Sequence, residues 1–246
     1  MKVVLVNNVD NATAALLADL NSSDKPTIRA AVDKLIELVA AAPALADELN
    51  RLLDDSRGNH PWPAAYILAH LPHPSQRVFA VLLNALDHSD PDIRWAVMLL
   101  LVRLAKTNSG IVGLLLELRE TGTSTQRRMA LYCIRDFNLT DAASLQALLD
   151  SLGDDDPTVR VAAVTSLKRR MDIDSSGRKM LYDLFVNDRD LRARNAAAVT
   201  LAQLGSPSEE FLAALKMAEA SEHAQLKRAA TAALAILKKA GLKTLG

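Results

Sequence analysis

The stretch Asp90-Pro91-Asp92-Ile93-Arg94-Trp95-Ala96-Val97 decides the fold, because its pattern returns along the whole chain. Asp156-Pro157-Thr158-Val159-Arg160 repeats it, and Lys25-Pro26-Thr27-Ile28-Arg29 is a looser copy. Small or apolar residues follow each arginine two, three and seven positions later. Seven anchor residues share this environment at spacings of 32 to 35 residues: Arg29, Trp62, Arg94, Arg127, Arg160, Arg192 and Lys227. A period of this length predicts a helical repeat array.

Each anchor opens the second helix of a pair, and an apolar stripe upstream of it predicts the first helix. We therefore predict an all-α, right-handed α-solenoid of about seven antiparallel helix pairs. Because no linker or low-complexity segment interrupts the array, we expect one domain over 1–246. The predicted repeats lie near 10–41, 43–71, 75–106, 109–137, 141–171, 176–204 and 207–240.

The joints between helices carry capping signals. Asp90 and Asp156 each precede a proline, which places an N-cap acceptor before a residue that lacks an N–H where none is needed. Ser206 and Glu209 have the spacing of a capping box. The acidic run 154–156 is interpreted as part of the cap before Pro157, since it lacks the alternating ligand spacing of a calcium loop.

The Asp-Pro-x-(Ile/Val)-Arg motif, followed by small residues with a period near 33, resembles HEAT repeats. The short period is most similar to the compact bacterial HEAT-like class that includes phycobilin lyase subunits. This resemblance implies a superhelix whose second helices line a concave surface. It also implies a ladder of ion pairs between repeats, involving Asp90, Asp156 and Asp188 with Arg94, Arg160 and Arg192. Departures from the motif predict that the ladder is broken at Trp62, Arg127 and Lys227.

Composition restricts the environment and the class of function. The 246 residues carry a formal net charge of +0, which disfavours a non-specific nucleic-acid binder. No apolar run approaches the length of a membrane span. The single cysteine, Cys133, suits a reducing compartment and lies on the predicted core side of its helix, so we expect a cytoplasmic protein in which Cys133 packs in the core.

A search for catalytic motifs is negative. None of the five histidines is followed by glutamate or lies four residues from another histidine. The repeated His-Glu pairs by which the HEAT-like enzyme deoxyhypusine hydroxylase binds iron are therefore missing. The sequence also lacks the glycine-rich phosphate loops and the nucleophile elbow. We predict a non-enzymatic protein with no cofactor and no metal site.

The second helices suggest a binding surface. Positions one, five, eight and nine residues after each anchor point away from the predicted core. At the centre of the concave face this rule places Ile67, Trp95, Leu99 and Tyr132. Flanking positions carry Arg103, Arg128, Arg135, Lys168 and Arg169. An alternative remains open at this stage, in which crowded second helices pack these side chains against each other and Trp95 is core.

Exposed aromatic side chains beside arginines are typical of protein interfaces. The leading hypothesis is a scaffold or adaptor that binds a protein or peptide, with a helix bearing acidic flanks as the expected ligand of a monomeric solenoid. Two alternatives stay open. One is a bilin lyase, isomerase or chaperone subunit, with tetrapyrrole propionates at Arg128 and Arg135 and rings near Trp95 and Tyr132. The other is a HEAT-like nucleic-acid-binding protein that grips phosphates with the same arginines.

Overall fold

Helices make up all the regular secondary structure in residues 10–54, 61–137, 141–168, 170 and 172–241, which are the residues that the computed structural model describes. The fourteen α-helices of this part of the chain are α1 (Asn11–Asp19), α2 (Lys25–Val39), α3 (Pro43–Leu52), α4 (Trp62–Leu68), α5 (Gln76–Ala85), α6 (Pro91–Ala105), α7 (Gly110–Thr121), α8 (Ser124–Phe137), α9 (Ala142–Asp150), α10 (Pro157–Leu167), α11 (Ser175–Asn187), α12 (Leu191–Leu204), α13 (Glu209–Glu219) and α14 (Ala224–Lys239). A 3₁₀ turn, Ser151–Gly153, follows α9. The all-α repeat class is confirmed, with one helix pair in each predicted repeat.

Some helix ends differ from the prediction. The second helix of the second repeat stops at Leu68, three residues short of its predicted end, just before the turn that leads into Pro72. The capping box of Ser206 and Glu209 is wrong, because Ser208 caps α13 by accepting from the amide of Phe211 at 3.2 Å. Ser206 itself has a φ of 51° and lies in the left-handed turn that separates α12 from α13.

The packing divides the chain into two compact units, Met1–Ile111 and Val112–Gly246. A single domain that spans both units stays a prediction. The first unit contains α1 to α6. Within it the seven-residue helix α4 packs against α2, α3 and α5, around buried side chains that include Leu35, Leu49, Leu68, Leu82 and Leu86.

The second unit begins inside α7 and continues to α14. Its second helices form a layer in which α8 packs on α10, α10 on α12 and α12 on α14. The first helices α11 and α13 close the other side of the core, where the rings of Phe185 and Phe211 meet edge to face at 5.7 Å. Most of the buried side chains of this unit form one continuous hydrophobic cluster that extends from Leu131 to Leu237.

The predicted aspartate caps are confirmed. Asp90 accepts from the amide of Asp92 at 3.0 Å, and Asp156 accepts from the amide of Thr158 at 2.7 Å. Asp154 serves the same joint, because its carboxylate accepts from the amide of Asp156 at 2.8 Å. The interpretation of the acidic run as helix-capping residues therefore holds for Asp154 and Asp156.

The ion-pair ladder agrees with the expectation at Arg160 and Asp188 and departs from it at Arg127. Arg127 donates to Asp154 through Nε at 2.8 Å and through Nη at 2.7 Å, and Arg160 binds Asp188 in the same way at 2.7 and 2.8 Å. The predicted break at Arg127 is therefore wrong. In both pairs the accepting aspartate lies two residues before the aspartate that caps the next second helix. The capping aspartate of α12, Asp190, instead pairs within its own repeat, with Arg192.

At Trp62 the ladder is interrupted, as predicted. The residue two before the cap of α6 is His88, whose Nδ1 accepts from the amide of Asp90 at 3.0 Å. The ring of Trp62 meets the ring of His88 edge to face at 6.3 Å. An aromatic pair thus stands in the first unit where the second unit has an arginine and an aspartate.

Candidate protein-binding groove

A groove of about 710 Å³ lies across the second helices α2, α4 and α6 of the first unit. Helix α4 contributes Trp62 and Tyr66 to its lining. Helix α6 contributes Trp95 and Leu99, and the apolar side chains on α2 include Ile28. Three consecutive second helices therefore present aromatic and aliphatic side chains to one opening.

The short helix α4 supplies two of the aromatic side chains that line the groove. Pro61 and Pro63 bracket Trp62 at its start, and the helix makes only about two turns before it ends at Leu68. Trp62 and Tyr66 are four residues apart, so they lie on one face of α4, with ring centroids 6.5 Å apart. The Nε1 atom of Trp62 is buried and finds no hydrogen-bond acceptor among the described residues.

Trp95 and Leu99 are exposed despite their size. Trp95 is 42 % exposed and Leu99 is 59 % exposed. Their four-residue spacing places both on the same side of α6, and both line the groove. The alternative that made Trp95 a core residue is therefore wrong. Large apolar side chains that remain in contact with water on a concave lining are typical of an interaction surface.

One end of the groove is closed by charges. The Nζ of Lys25, the first residue of α2, lies 2.5 Å from Asp90 and 3.1 Å from Asp92 on α6. The hydrogen bond from Lys25 lowers the pKa of the Asp90 carboxyl below its ordinary value, and the amide of Asp92 lowers it further. The same contacts raise the pKa of Lys25. The Asp90 carboxylate and the Lys25 ammonium are thus both charged near neutral pH.

A second set of polar groups follows α4 toward its C-terminal end. The ring of His70 lies 5.4 Å from the ring of Tyr66, and its Nδ1 is 2.9 Å from the carbonyl oxygen of Tyr66. Because a carbonyl only accepts, Nδ1 carries the proton. Burial lowers the pKa of His70, and the positive charge of Arg103 lowers it further. His70 is accordingly neutral near pH 7, and Arg103 provides the positive charge on this side.

The structure brings together some of the predicted site residues of the first unit. Trp95 and Leu99 line the groove, and the exposed Arg103 lies one turn beyond Leu99 on α6. The prediction for Ile67 is wrong, since this side chain is 0 % exposed. Helix α4 is covered by α2, α3 and α5, so the face that carries Ile67 is buried in the core.

The other predicted residues belong to the second unit. Arg135 lies over the ring of Tyr132, with its guanidinium carbon 4.9 Å from the centroid, and also pairs with Asp136 at 2.6 Å. Tyr132 packs partly buried against the hydrophobic cluster of that unit. Arg128 is partly exposed and Lys168 is exposed. Arg169 lies outside the described residues.

Trp62, Tyr66 and Lys25 also line the groove, although they were not predicted as site residues. The signal for Trp62 and Tyr66 was present, because two aromatic residues four apart stand at an anchor that elsewhere is basic. No local signal identified Lys25, since its contacts with Asp90 and Asp92 join residues 65 or more positions apart in sequence.

The described residues show no cluster of three histidine, cysteine, aspartate or glutamate side chains placed to hold a metal ion. Cys133 is buried, and burial raises the pKa of its thiol well above the ordinary value, which opposes thiolate formation. Among these residues no helix is both long and apolar enough to cross a bilayer.

Comparison with known families and structures supports the fold. Residues 145–235 match the family of HEAT repeats, so this part of the chain carries HEAT repeats and the resemblance is confirmed there. No curated protein matches the chain. YibA of Escherichia coli is similar in structure, with 15 % identity, a TM-score of 0.55, and coverage of 95 % of this chain and 94 % of that chain.

Two further solved structures resemble the chain more loosely. One is an engineered protein with 18 % identity, a TM-score of 0.46 and coverage of 95 % of this chain and 99 % of that chain. The other is the complex of CpcE and CpcF of phycocyanin lyase from Nostoc sp. PCC7120, with 20 % identity, a TM-score of 0.37 and coverage of 96 % and 99 %. Likenesses this weak carry no argument about function, and the match to YibA supports the repeat fold alone.

Proposed function

We propose that the protein is a non-enzymatic binding module whose first-unit groove receives an apolar segment of a protein partner. The observation that carries this proposal is the pair Trp95 and Leu99, two large apolar side chains that stay exposed on one groove. Exposed tryptophan near arginine is the composition of an interface hot spot. The aromatic rings of Trp62 and Tyr66 extend the same apolar surface.

The charges of the groove bear on the class of partner. Its lining carries Asp33, Asp90 and Asp92 against Lys25 and Arg29. Because carboxylates outnumber the basic groups of this lining, they repel phosphates, and nucleic acid is therefore disfavoured as the ligand of the groove. The acidic flanks expected for the partner rested largely on Arg128, Arg135, Lys168 and Arg169, which belong to the second unit. The groove's own charges are the better guide to what it binds.

Replacing Trp95 by alanine tests the proposal. Peptides would first be selected from a displayed random library against the immobilised protein. Trp95→Ala should weaken the selected peptides by about 2 kcal/mol, roughly 30-fold in Kd, as loss of a hot-spot tryptophan does. Because Trp95 is exposed, the helical circular dichroism signal and the melting temperature should change little.

Met217 provides a matched control. It is a large apolar side chain on α13 that is 78 % exposed and does not line the groove. Met217→Ala should leave peptide affinity unchanged. The proposal fails if selected peptides bind Trp95→Ala as tightly as they bind the original protein, or if both substitutions weaken binding to the same extent.

A further inference from the structure

Lys25 holds a position that a cation of a partner could take. It reaches from the start of α2 to two carboxylates at the start of α6, across the end of the groove. Its own side chain remains 61 % exposed. Asp90 is mostly buried and is held by its capping bond to the Asp92 amide, so this carboxylate is fixed in place.

The ion pair of Lys25 is replaceable. Exposed salt bridges contribute little to stability, since a long side chain must be ordered to make them and water screens the attraction. When the Lys25 side chain moves to another rotamer, the carboxylates of Asp90 and Asp92 become available beside the apolar groove. An arginine guanidinium, with five donors in a planar fork, can meet more of these oxygens than the ammonium of Lys25.

The neighbouring rings suit the stem of such a side chain. Trp62 and Trp95 line the same groove as Asp90 and Asp92. The aliphatic part of arginine or lysine packs on aromatic rings, and a cation near a ring face gains a further attraction. An acidic segment would meet carboxylates at this end, where Lys25, the nearest positive charge, is already paired with them.

We infer that the partner segment combines apolar side chains with a basic residue, arginine before lysine, whose cationic group replaces Lys25 between Asp90 and Asp92. This inference rests on the proposed function, because it specifies the ligand of the same groove. The apolar side chains contact Trp95 and Leu99, and the basic residue defines the orientation of the segment along the groove.

The chain contains its own reporter for the test. The sequence has two tryptophans, Trp62 and Trp95, and both line the groove, so intrinsic fluorescence follows binding without a label. Three pools of short peptides that lack tryptophan would be titrated. The peptides of the first pool combine Leu and Phe with one Arg. The second pool has Gln in place of that Arg, and the third pool has Glu. The arginine pool should bind about tenfold more tightly than the glutamine pool, and the glutamate pool most weakly.

Two variants locate the cation. Lys25→Met removes the internal competitor and should tighten the arginine pool about threefold while leaving the glutamine pool unchanged. The double variant Asp90→Asn with Asp92→Asn keeps an N-cap acceptor, because asparagine caps as well as aspartate, and should remove the preference for arginine. Lys34→Met is the control, since Lys34 lies on the same helix and pairs with Glu37 outside the groove.

The outcomes separate this inference from the proposal beneath it. If the three pools bind equally, or if Lys25→Met and the double asparagine variant change nothing while Trp95→Ala weakens every pool, the inference is overturned and the groove remains an apolar binding site. If no pool changes the fluorescence, the groove does not bind peptides, and the proposed function is overturned with the inference.

Discussion

Helix α6 of the first unit and helix α12 of the second unit carry the same repeat but differ in the burial of equivalent positions. In the first unit, the positions one and five residues after the anchor of α6 are Trp95 and Leu99, which are exposed on a groove. In the second unit, the equivalent positions on α12 are Ala193 and Ala197, and both are fully buried. The same helix face is therefore a surface on α6 and part of the packed layer on α12.

Side-chain size accounts for the difference. Alanine at these positions allows α10, α12 and α14 to approach closely. The approach is close enough that Thr200 on α12 donates to the carbonyl of Val164 on α10, and Ser166 on α10 donates to that of Leu131 on α8, both at 3.4 Å. The crowding that we considered for the concave face is real in the second unit. The rule that positions one, five and eight residues after each anchor point away from the core is therefore wrong for α12, where these positions are Ala193, Ala197 and Thr200.

The side-chain contacts that join successive repeats also differ between the two units, and we call each of these contacts a joint. The second unit ties successive repeats together with the pairs Arg127–Asp154 and Arg160–Asp188, whereas the first unit uses the rings of Trp62 and His88. Two forked hydrogen bonds to a nearly buried carboxylate are directional and charged, while an edge-to-face ring pair is weaker. The free energy of unfolding should therefore depend more strongly on the joints of the second unit than on those of the first.

Removing one joint from each unit gives the largest expected contrast. Asp188→Ala should lower the free energy of unfolding by about 3 kcal/mol, because it leaves Arg160 partly buried without its carboxylate. His88→Ala should cost roughly 1 kcal/mol, the scale of an aromatic pair. Urea unfolding followed by circular dichroism measures both. Equal losses would show that the two joints are energetically interchangeable.

Exchanging residue size at the equivalent positions should give an intermediate effect. Ala197→Leu should destabilise the protein by about 2 kcal/mol, since the closed layer has no room for added methyl groups. Leu99→Ala should change stability by less than about 0.5 kcal/mol, because Leu99 is already exposed. The comparison breaks if Ala197→Leu is neutral in urea unfolding, which would mean that the second-helix layer can open to accept a larger side chain.

The smallest expected effect concerns acid. Burial raises the pKa of Asp188, but hydrogen bonds from Arg160 and the Asp190 amide outweigh it, so the pKa falls below its ordinary value of 3.8. A carboxyl whose pKa is lowered by folding stabilises the folded state above its unfolded pKa, and this contribution is lost as pH falls through the folded value. We expect the stability difference between the original protein and Asp188→Ala to be constant near neutral pH and to shrink below about pH 4. A difference that stays constant down to pH 2 would contradict this linkage.

Much of the fold was predictable because it depends on local chemistry. The seven anchors located the helix pairs, and the aspartates before Pro91 and Pro157 located two helix starts, since an N-cap and a proline act within a few residues of the helix end. The pair of Arg160 with Asp188 was predicted, whereas Asp154 was missed as a ladder acceptor because it precedes the motif by two residues and pairs with an arginine 27 positions away. Sequence spacing alone does not show whether the capping aspartate, Asp156, or the aspartate two residues before it, Asp154, accepts from the arginine of the preceding repeat.

The sequence by itself determined the helical repeat, the places where its helices begin, and the candidates Trp95 and Leu99. Only the tertiary structure decided which second-helix face is open. Ile67 is buried because three helices cover the short α4. Lys25 at the start of α2 contacts Asp90 at the start of α6, across the end of the groove that both helices line. Exposure depends on how closely neighbouring helices approach, and this distance is set by the volumes of side chains that are far apart in sequence and adjacent in space.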